Sequence, residues 1–143
     1  MDALATMGSF IGREFDRSPS PFMRWLRPVV VSVQKGSLEF KYIVRAEWLN
    51  PMERLHGGIT AAIMDDVLGA TMFSLDEPFH YTTINNTIDY FSVAQENDEI
   101  TAKTKIIKKG RQFIHAECEI WGRNGARLIA RGTSNLFKTQ IKK

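Results

Sequence analysis

Two adjacent carboxylates, Asp65 and Asp66, interrupt an otherwise apolar stretch from Leu55 to Ser74. The apolar residues of this stretch point around the whole circumference of a helix. That pattern predicts a buried core helix, because the stretch is too short and too polar to span a bilayer. Burying a carboxylate is costly unless a partner, a shifted pKa or a function compensates. We therefore regard this pair as the main indication of a functional site.

A His56-Gly57-Gly58 turn opens the same helix. Backbone N–H groups at a helix N-terminus stabilise negative charge, aided by the helix dipole. Gly57 lacks a Cβ, so a ligand carbonyl could approach its backbone closely. The two glycines suit a plain tight turn equally well. His56 suits a helix cap or a packed core position as well as it suits a catalytic contact.

Strand patterns surround the helix. Val29–Val33 and residues 38–48 read as a hairpin around a Lys35-Gly36 turn. Tyr81–Val93 and the alternating segments that follow it predict three or four more strands and no second long helix. The predicted class is α+β: a curved antiparallel sheet of five to six strands around one long central helix.

We expect residues 1–27 to form an N-terminal helical segment that packs on a domain of residues 28–143. The Ser18-Pro19-Ser20-Pro21 run is the clearest break in the chain. A short helix within residues 3–15 would bury Leu4, Met7, Phe10, Ile11 and Phe15. A basic tail, Lys138–Lys143, follows the last predicted strand.

Composition narrows the classes of function. The 19 basic and 16 acidic residues are interleaved, so a net charge of +3 argues only weakly for nucleic acid. A single cysteine, Cys118, excludes an internal disulfide and suits a reducing cytoplasm, which is the location we expect. The N-terminus lacks a signal-peptide pattern, and no apolar run is long enough to cross a membrane. Three scattered histidines give no metal-ligand spacing.

The motif around the helix resembles the hot-dog fold, and specifically the PaaI-type acyl-CoA thioesterases. The resemblance rests on Asn50, which precedes His56-Gly57-Gly58 by six residues, and on Asp65, which follows Gly57 by eight. It extends to Thr83 on the next strand and to a glycine-containing pattern between Gly110 and Gly132.

The resemblance implies hydrolysis of an acyl-CoA thioester to a free acid and coenzyme A, with no metal or organic cofactor. It implies that Asp65 is the catalytic carboxylate, acting as base or nucleophile, and that the helix start and Asn50 form an oxyanion site. The catalytic residues carried over by position are Asp65, Gly57, Asn50, His56 and Thr83. Glu53 departs from the pattern, since similar proteins often have glycine there, so the loop shape or the acyl group differs.

Spacing adds a prediction about assembly. Gly57 and Asp65 are eight residues apart, about 12 Å along a helix axis. Both must lie within ~3–4 Å of one thioester carbon, so one chain cannot supply both. A two-fold homodimer can, by bringing the helix start of one subunit to Asp65 of the other. The monomer should then be inactive, and a homotetramer remains an alternative to the homodimer. Asp66, which faces another side of the helix, should pair with a cation or a backbone donor.

Basic residues around Gly110 are candidates for the coenzyme A phosphates. The proposed substrate-binding residues are Gly58, Lys108, Lys109 and Arg111. For most of the basic residues, a position on a solvent-exposed strand face is the ordinary alternative to phosphate binding. Two other functions stay open: a non-catalytic acyl-CoA or lipid-binding module, and a hot-dog acyl-thioester dehydratase. We expect neither a nucleic acid nor a membrane as a partner.

Overall fold

The computed structural model describes residues 2–140 and consists of one antiparallel sheet around one long helix. In chain order the elements are α1 (Ala3–Gly8), α2 (Pro21–Leu26), β1 (Val29–Gln34), β2 (Ser37–Ile43), α3 (Gly57–Phe73), β3 (Phe79–Tyr90), β4 (Glu99–Lys109), β5 (Phe113–Gly122) and β6 (Arg127–Gln140). The sheet order is β1-β2-β4-β5-β6-β3. The predicted α+β architecture is confirmed.

Helix α3 packs one side against the concave face of the sheet through residues such as Ile63, Val67 and Leu68, all buried. A stripe on its other side, spaced four residues apart, stays outside the core. Asp65 and Phe73 on this stripe are exposed, and Gly69 is half-buried. The prediction of a helix buried all round is therefore wrong for the single chain, because no element within residues 2–140 covers the whole stripe.

The first hairpin turns at Lys35-Gly36 as predicted, and Gly36 has a φ of 80°. Strand β2 ends at Ile43, however, and a short 3-10 helix, Ala46–Trp48, replaces the end of the predicted strand. Trp48 is fully buried and packs edge-on against Tyr42 at 6.3 Å, whereas Ala46 is exposed. The 3-10 turn thus places the indole ring of Trp48 in the core, whereas the alternating pattern predicted a continuous strand.

The N-terminal segment contains two short helices. Asp2 caps α1, whose last residue is Gly8, and a left-handed Gly12 (φ 88°) turns the chain towards β1. Ile11 lies on this turn and is exposed, so the predicted helix was too long and Ile11 does not belong to the core. Of the other residues expected to be buried, Met7, Phe10 and Phe15 are in the core and Leu4 is half-buried.

Strand β3 is the last strand of the sheet. It pairs with β6 along its whole length, from Phe79 opposite Gln140 to Tyr90 opposite Ala130. Within residues 2–140 no strand pairs with its outer edge. Part of the predicted basic tail belongs to β6, and residues 141–143 lie outside the described range. Cys118 is buried in the core as expected, and no helix of the described range is long and apolar enough to cross a membrane.

Candidate active site

Asp65 lies on the exposed stripe of α3, where the helix faces β3. The hydroxyl of Thr83 donates to its Oδ1 at 3.0 Å, and the side-chain amide of Asn86 donates to the same oxygen at 3.3 Å. Oδ2 accepts no hydrogen bond from any residue in the described part of the chain. Asp65 is thus held by one oxygen and leaves the other available for a ligand or a water molecule.

A β-bulge explains how two residues three apart on one strand reach the same carboxylate. The pairing of β3 with β6 shifts between Thr83 and Asn85, which leaves Ile84 without a partner. Residues an odd number apart on a regular strand point to opposite faces, and the inserted residue restores them to the same face. The bulge therefore aims both Thr83 and Asn86 at Asp65.

Asn86 is a site residue that the sequence alone did not single out. Its side-chain oxygen accepts a hydrogen bond from the hydroxyl of Ser134, a buried residue of β6. That contact fixes the amide so that its nitrogen points to Asp65. The unusual polarity of the Tyr81–Val93 stretch was the available signal, but the bulge that selects Asn86 could not be seen in it.

Asp66 has very different surroundings from its neighbour. Its Oδ2 is buried and has no hydrogen-bond partner among residues 2–140. Burial and the nearby charge of Asp65 raise the pKa of Asp66 to about 7. The expected pairing with a cation or a backbone donor is therefore wrong, because the half-buried side chain meets no donor among the described residues.

A cavity of about 450 Å³ opens beside the two carboxylates. Thr83 lies at the same end, and Gly69, Ala70 and Phe73 of α3 form one side. The opposite side is supplied by the N-terminal segment. Most of the lining area is apolar, and the two carboxylates are the charged groups of the cavity.

The start of α3 presents a free backbone donor. His56 caps the helix, with its Nδ1 accepting from the N–H of Gly58 at 2.8 Å. The hydroxyl of Tyr90 donates to the carbonyl of Gly57 at 2.9 Å. The N–H of Gly57 donates to no residue in the range the structure describes, so it is available to a ligand. Tyr90, also missed from the sequence, holds this peptide in place.

The loop before the helix is organised by Asn50. Its side-chain oxygen accepts hydrogen bonds from the N–H groups of Met52, at 2.9 Å, and of Arg54, at 3.2 Å. No hydrogen bond joins Asn50 to His56 in the described structure. Glu53 sits at the turn of this loop with a φ of 59°, in the left-handed region that favours glycine. Its backbone thus follows a path that glycine would adopt with less strain.

The candidate phosphate-binding residues lie far from the helix start within one chain. Lys109 forms an ion pair with Glu77 at 2.7 Å, and the hydrogen bond to Glu77 raises the pKa of Lys109. Glu77 follows the C-terminal end of α3, a helix about 25 Å long. Lys108 and Arg111 are exposed at the same end.

Two other arginines lie closer to the helix start. Arg123 and Arg127 line a cavity of about 300 Å³ together with Ala94, whose carbonyl accepts from the N–H of Leu55 at 2.8 Å. Within residues 2–140 no group of three or more His, Cys, Asp and Glu side chains could hold a metal ion.

Comparisons with known proteins identify the family. The model of the thioesterase superfamily matches residues 52–129, more than half of the chain. Acyl-coenzyme A thioesterase 13 of Mus musculus is 25% identical over 72% of this chain and 74% of its own length. The human protein of that name is 23% identical over the same shares.

Solved structures agree on the fold. The PaaI protein of E. coli superposes with a TM-score of 0.82 at 17% identity, covering 96% of this chain and 94% of its own. A hypothetical thioesterase of Streptococcus pneumoniae, solved with coenzyme A, gives 0.75 at 21% identity, covering 82% and 89%. The sheet wrapped around α3 is therefore the hot-dog fold, and the chain belongs to the thioesterase superfamily as a thioester hydrolase.

Proposed function

We propose that this protein hydrolyses acyl-CoA thioesters with Asp65 as the catalytic carboxylate. One observation carries the proposal: Asp65 is held by Thr83 and Asn86 through one oxygen, beside a mostly apolar cavity. An acyl thioester has the matching parts, a reactive carbonyl attached to an apolar chain. The names of the relatives and the coenzyme A found with one structural neighbour support the same substrate class.

The chemistry needs donors for the oxyanion that forms at the thioester carbonyl. The free N–H of Gly57 supplies one, and the helix dipole adds to it. The side-chain nitrogen of Asn50 is a second candidate, because its oxygen is already used within the loop. His56 acts through its cap, which fixes the helix start, and Tyr90 fixes the Gly57 peptide.

Asp65 completes the reaction in one of two ways. As a general base, it takes a proton from water while the resulting hydroxide adds to the carbonyl and the coenzyme A thiolate leaves. As a nucleophile, its free oxygen attacks the carbonyl and the coenzyme A thiolate leaves; water then cleaves the resulting anhydride to the free acid and the Asp65 carboxylate. Thr83 holds the other oxygen in both cases, so Oδ2 is directed at the substrate.

We further propose that the active unit is a homodimer. Gly57 and Asp65 are about 12 Å apart along one helix, too far to serve one carbonyl. Strand β3 and the residue after it expose apolar side chains, Ile84, Tyr90 and Phe91, and an open edge of this kind is normally covered. Pairing along this edge would bring the helix start of one subunit towards Asp65 of the partner subunit. A homotetramer would need a second interface.

A pair of adjacent substitutions tests the function. Steady-state hydrolysis is measured over a panel of acyl-CoA thioesters for the wild type, Asp65→Asn and the matched control Asp66→Asn. We expect Asp65→Asn to lower kcat by roughly 10²–10⁴-fold. Asp66→Asn should keep kcat within about fivefold of the wild type, because Asp66 has no direct part in the chemistry. Equal losses from both substitutions would refute the role of Asp65.

The same panel separates the competing functions. Saturable binding of acyl-CoA without turnover would favour a binding module over a hydrolase. Reversible hydration of an enoyl-CoA without release of free coenzyme A would favour a dehydratase. Release of one free thiol for each acyl-CoA consumed, which a thiol reagent detects, is the result we expect.

Phosphate recognition is tested by two double variants. We propose that Lys108 and Arg111, with Lys109, hold the coenzyme A phosphates. Gly58 does not join them, because its N–H donates to His56 and it lies at the opposite end of α3. Changing both Lys108 and Arg111 to Ala should raise KM about tenfold with little change in kcat. The matched double change of Arg123 and Arg127 should leave KM unaltered. The reverse result would assign the phosphates to the arginines near the helix start.

A further inference from the structure

The cavity beside Asp65 is bounded by the N-terminal segment, a part of the chain with no assigned role. Met7, Phe15 and Met23 contribute to its wall, and all three are buried core residues. Thr83 and Asp65 also line it. Any chain attached to a carbonyl near Asp65 therefore meets the N-terminal segment on one side and α3 on the other.

That wall is fixed in place by backbone hydrogen bonds. The N–H of Gly12 donates to the carbonyl of Val30 at 2.8 Å, and that of Phe15 donates to Pro28 at 2.9 Å. At the other end, the N–H of Ala3 donates to the carboxylate of Asp76, just beyond α3, at 2.9 Å. The segment is thus anchored to β1 and to the end of α3, so the width of the cavity is set by the fold.

Gly69 is the point where the cavity could most easily be closed. It lies one helical turn beyond Asp65 and one turn before Phe73, on the same stripe of α3. A Cβ built on Gly69 would meet no atom within 4 Å beyond its own surroundings in the helix. Glycine inside a helix lowers stability relative to alanine, so the residue has a local cost with no steric reason for it.

Gly69 also joins two cavities. A second cavity of about 380 Å³ extends past Phe73 towards Phe79 and Tyr81. Both cavities are lined by Ala3, Gly69 and Phe73. A bulky side chain at position 69 would stand in the passage between them.

We propose that this passage is the acyl-chain tract of the enzyme and that Gly69 determines the length of the chain it accepts. This inference rests on the proposed acyl-CoA hydrolysis. The eight residues from Asp65 to Phe73 span about 12 Å. An extended alkyl chain advances ~1.25 Å per carbon, given C–C bonds of ~1.5 Å and tetrahedral angles. The tract therefore fits a medium-chain acyl group of roughly eight to ten carbons.

The test compares chain-length profiles of wild type, Gly69→Leu and a matched control, Gly8→Leu. Gly8 lies at the end of α1, lines neither cavity and also has open space around its Cβ position. The readout is the ratio of kcat/KM for decanoyl-CoA to that for acetyl-CoA. Gly69→Leu should lower this ratio at least tenfold, because each methylene excluded from an apolar site lowers kcat/KM for the longer substrate about fourfold. Gly8→Leu should keep the wild-type ratio.

An unchanged ratio in Gly69→Leu, with folding confirmed by circular dichroism, overturns the inference. If Gly69→Leu does not fold, Gly69→Ala and Ala3→Leu narrow the passage from opposite sides and should lower the ratio in smaller steps. If the wild type hydrolyses no acyl-CoA, the proposed function fails. Calorimetric binding of decanoate then decides: binding weakened at least tenfold by Gly69→Leu supports the tract, and no binding to the wild type overturns it.

Discussion

The two ends of the candidate site are built in different ways. At the start of α3 the reactive group is a backbone N–H, positioned by the His56 cap, the loop around Asn50 and the hydroxyl of Tyr90. Eight residues further on, the reactive group is the side chain of Asp65, positioned by two side chains of a bulged strand. Backbone conformation governs the first end, and side-chain chemistry governs the second.

The difference shows which substitutions should affect each end. At the helix start, a change acts by occupying space or by altering the path of the backbone. Around the carboxylates, a change acts by adding or removing a charge or a hydrogen bond. Asp66 does not belong to the second end: it is adjacent to Asp65, but its Oδ2 is buried and has no hydrogen-bond partner in the described part of the chain.

The largest effect on stability should come from Asp66→Asn. Burial raises the pKa of Asp66 from 3.8 to about 7, so the folded state holds a proton that the unfolded chain releases. The raised pKa therefore lowers the free energy of unfolding. The loss is absent below pH 4, grows as the pH rises to 7, and reaches roughly 2–4 kcal/mol above pH 7. Asp66→Asn should remove it and raise the urea midpoint at pH 9 more than at pH 4. Asp65→Asn, the comparison variant, should give a smaller gain of the same sign, because it removes only the lesser of the two causes of the raised pKa.

Gly57→Ala should separate activity from stability at the helix start. A Cβ at this position would meet the ring of Tyr90 at 3.4 Å, an ordinary contact, so the protein should fold with an unchanged melting temperature. The methyl group would occupy the space of the approaching carbonyl, and kcat/KM should fall about 100-fold, as for the loss of an oxyanion donor. A normal rate would mean that the glycine serves only the turn.

Thr83→Val should reduce kcat by about tenfold, because Asp65 loses one of its two positioning hydrogen bonds. The matched control is Thr82→Val. Thr82 precedes Thr83 on β3, points to the other face of the sheet and is exposed. Equal effects of the two substitutions would show that the strand, and not the hydroxyl, matters.

The smallest effect should come from Glu53→Gly. Glu53 holds a left-handed conformation that costs a non-glycine residue about 1 kcal/mol, partly offset by the greater entropy of glycine when unfolded. We expect the free energy of unfolding to rise by about 0.5 kcal/mol, measured by urea denaturation. A loss of stability would show that the side chain of Glu53 has a stabilising contact.

The architecture and much of the helix start could be predicted from the sequence. Strand alternation, the Lys35-Gly36 turn and the His56-Gly57-Gly58 motif are local patterns, and each marks an element that the structure contains. Asp65, Gly57 and Thr83 were predicted as site residues, and the structure places Thr83 against Asp65. Their catalytic roles remain predictions.

What could not be predicted depends on non-local geometry. Asn86 reaches Asp65 only because of a bulge, and a bulge is a property of how two strands pair. Tyr90 reaches the Gly57 carbonyl across 33 residues of sequence. The burial of the Asp66 oxygen depends on how α3 is rotated against the sheet, which an almost uniformly apolar helix does not specify.

The central claim is that one active site combines Gly57 of one subunit with Asp65 of its partner. Coexpression of Gly57→Ala and Asp65→Asn chains with two different affinity tags tests it directly. If the site is shared, each mixed dimer has one intact site, and random mixing should restore about a quarter of wild-type activity. Each parent homodimer should remain nearly inactive. If both residues act within one chain, the mixed dimers would be as inactive as the parents, and that result would contradict the account.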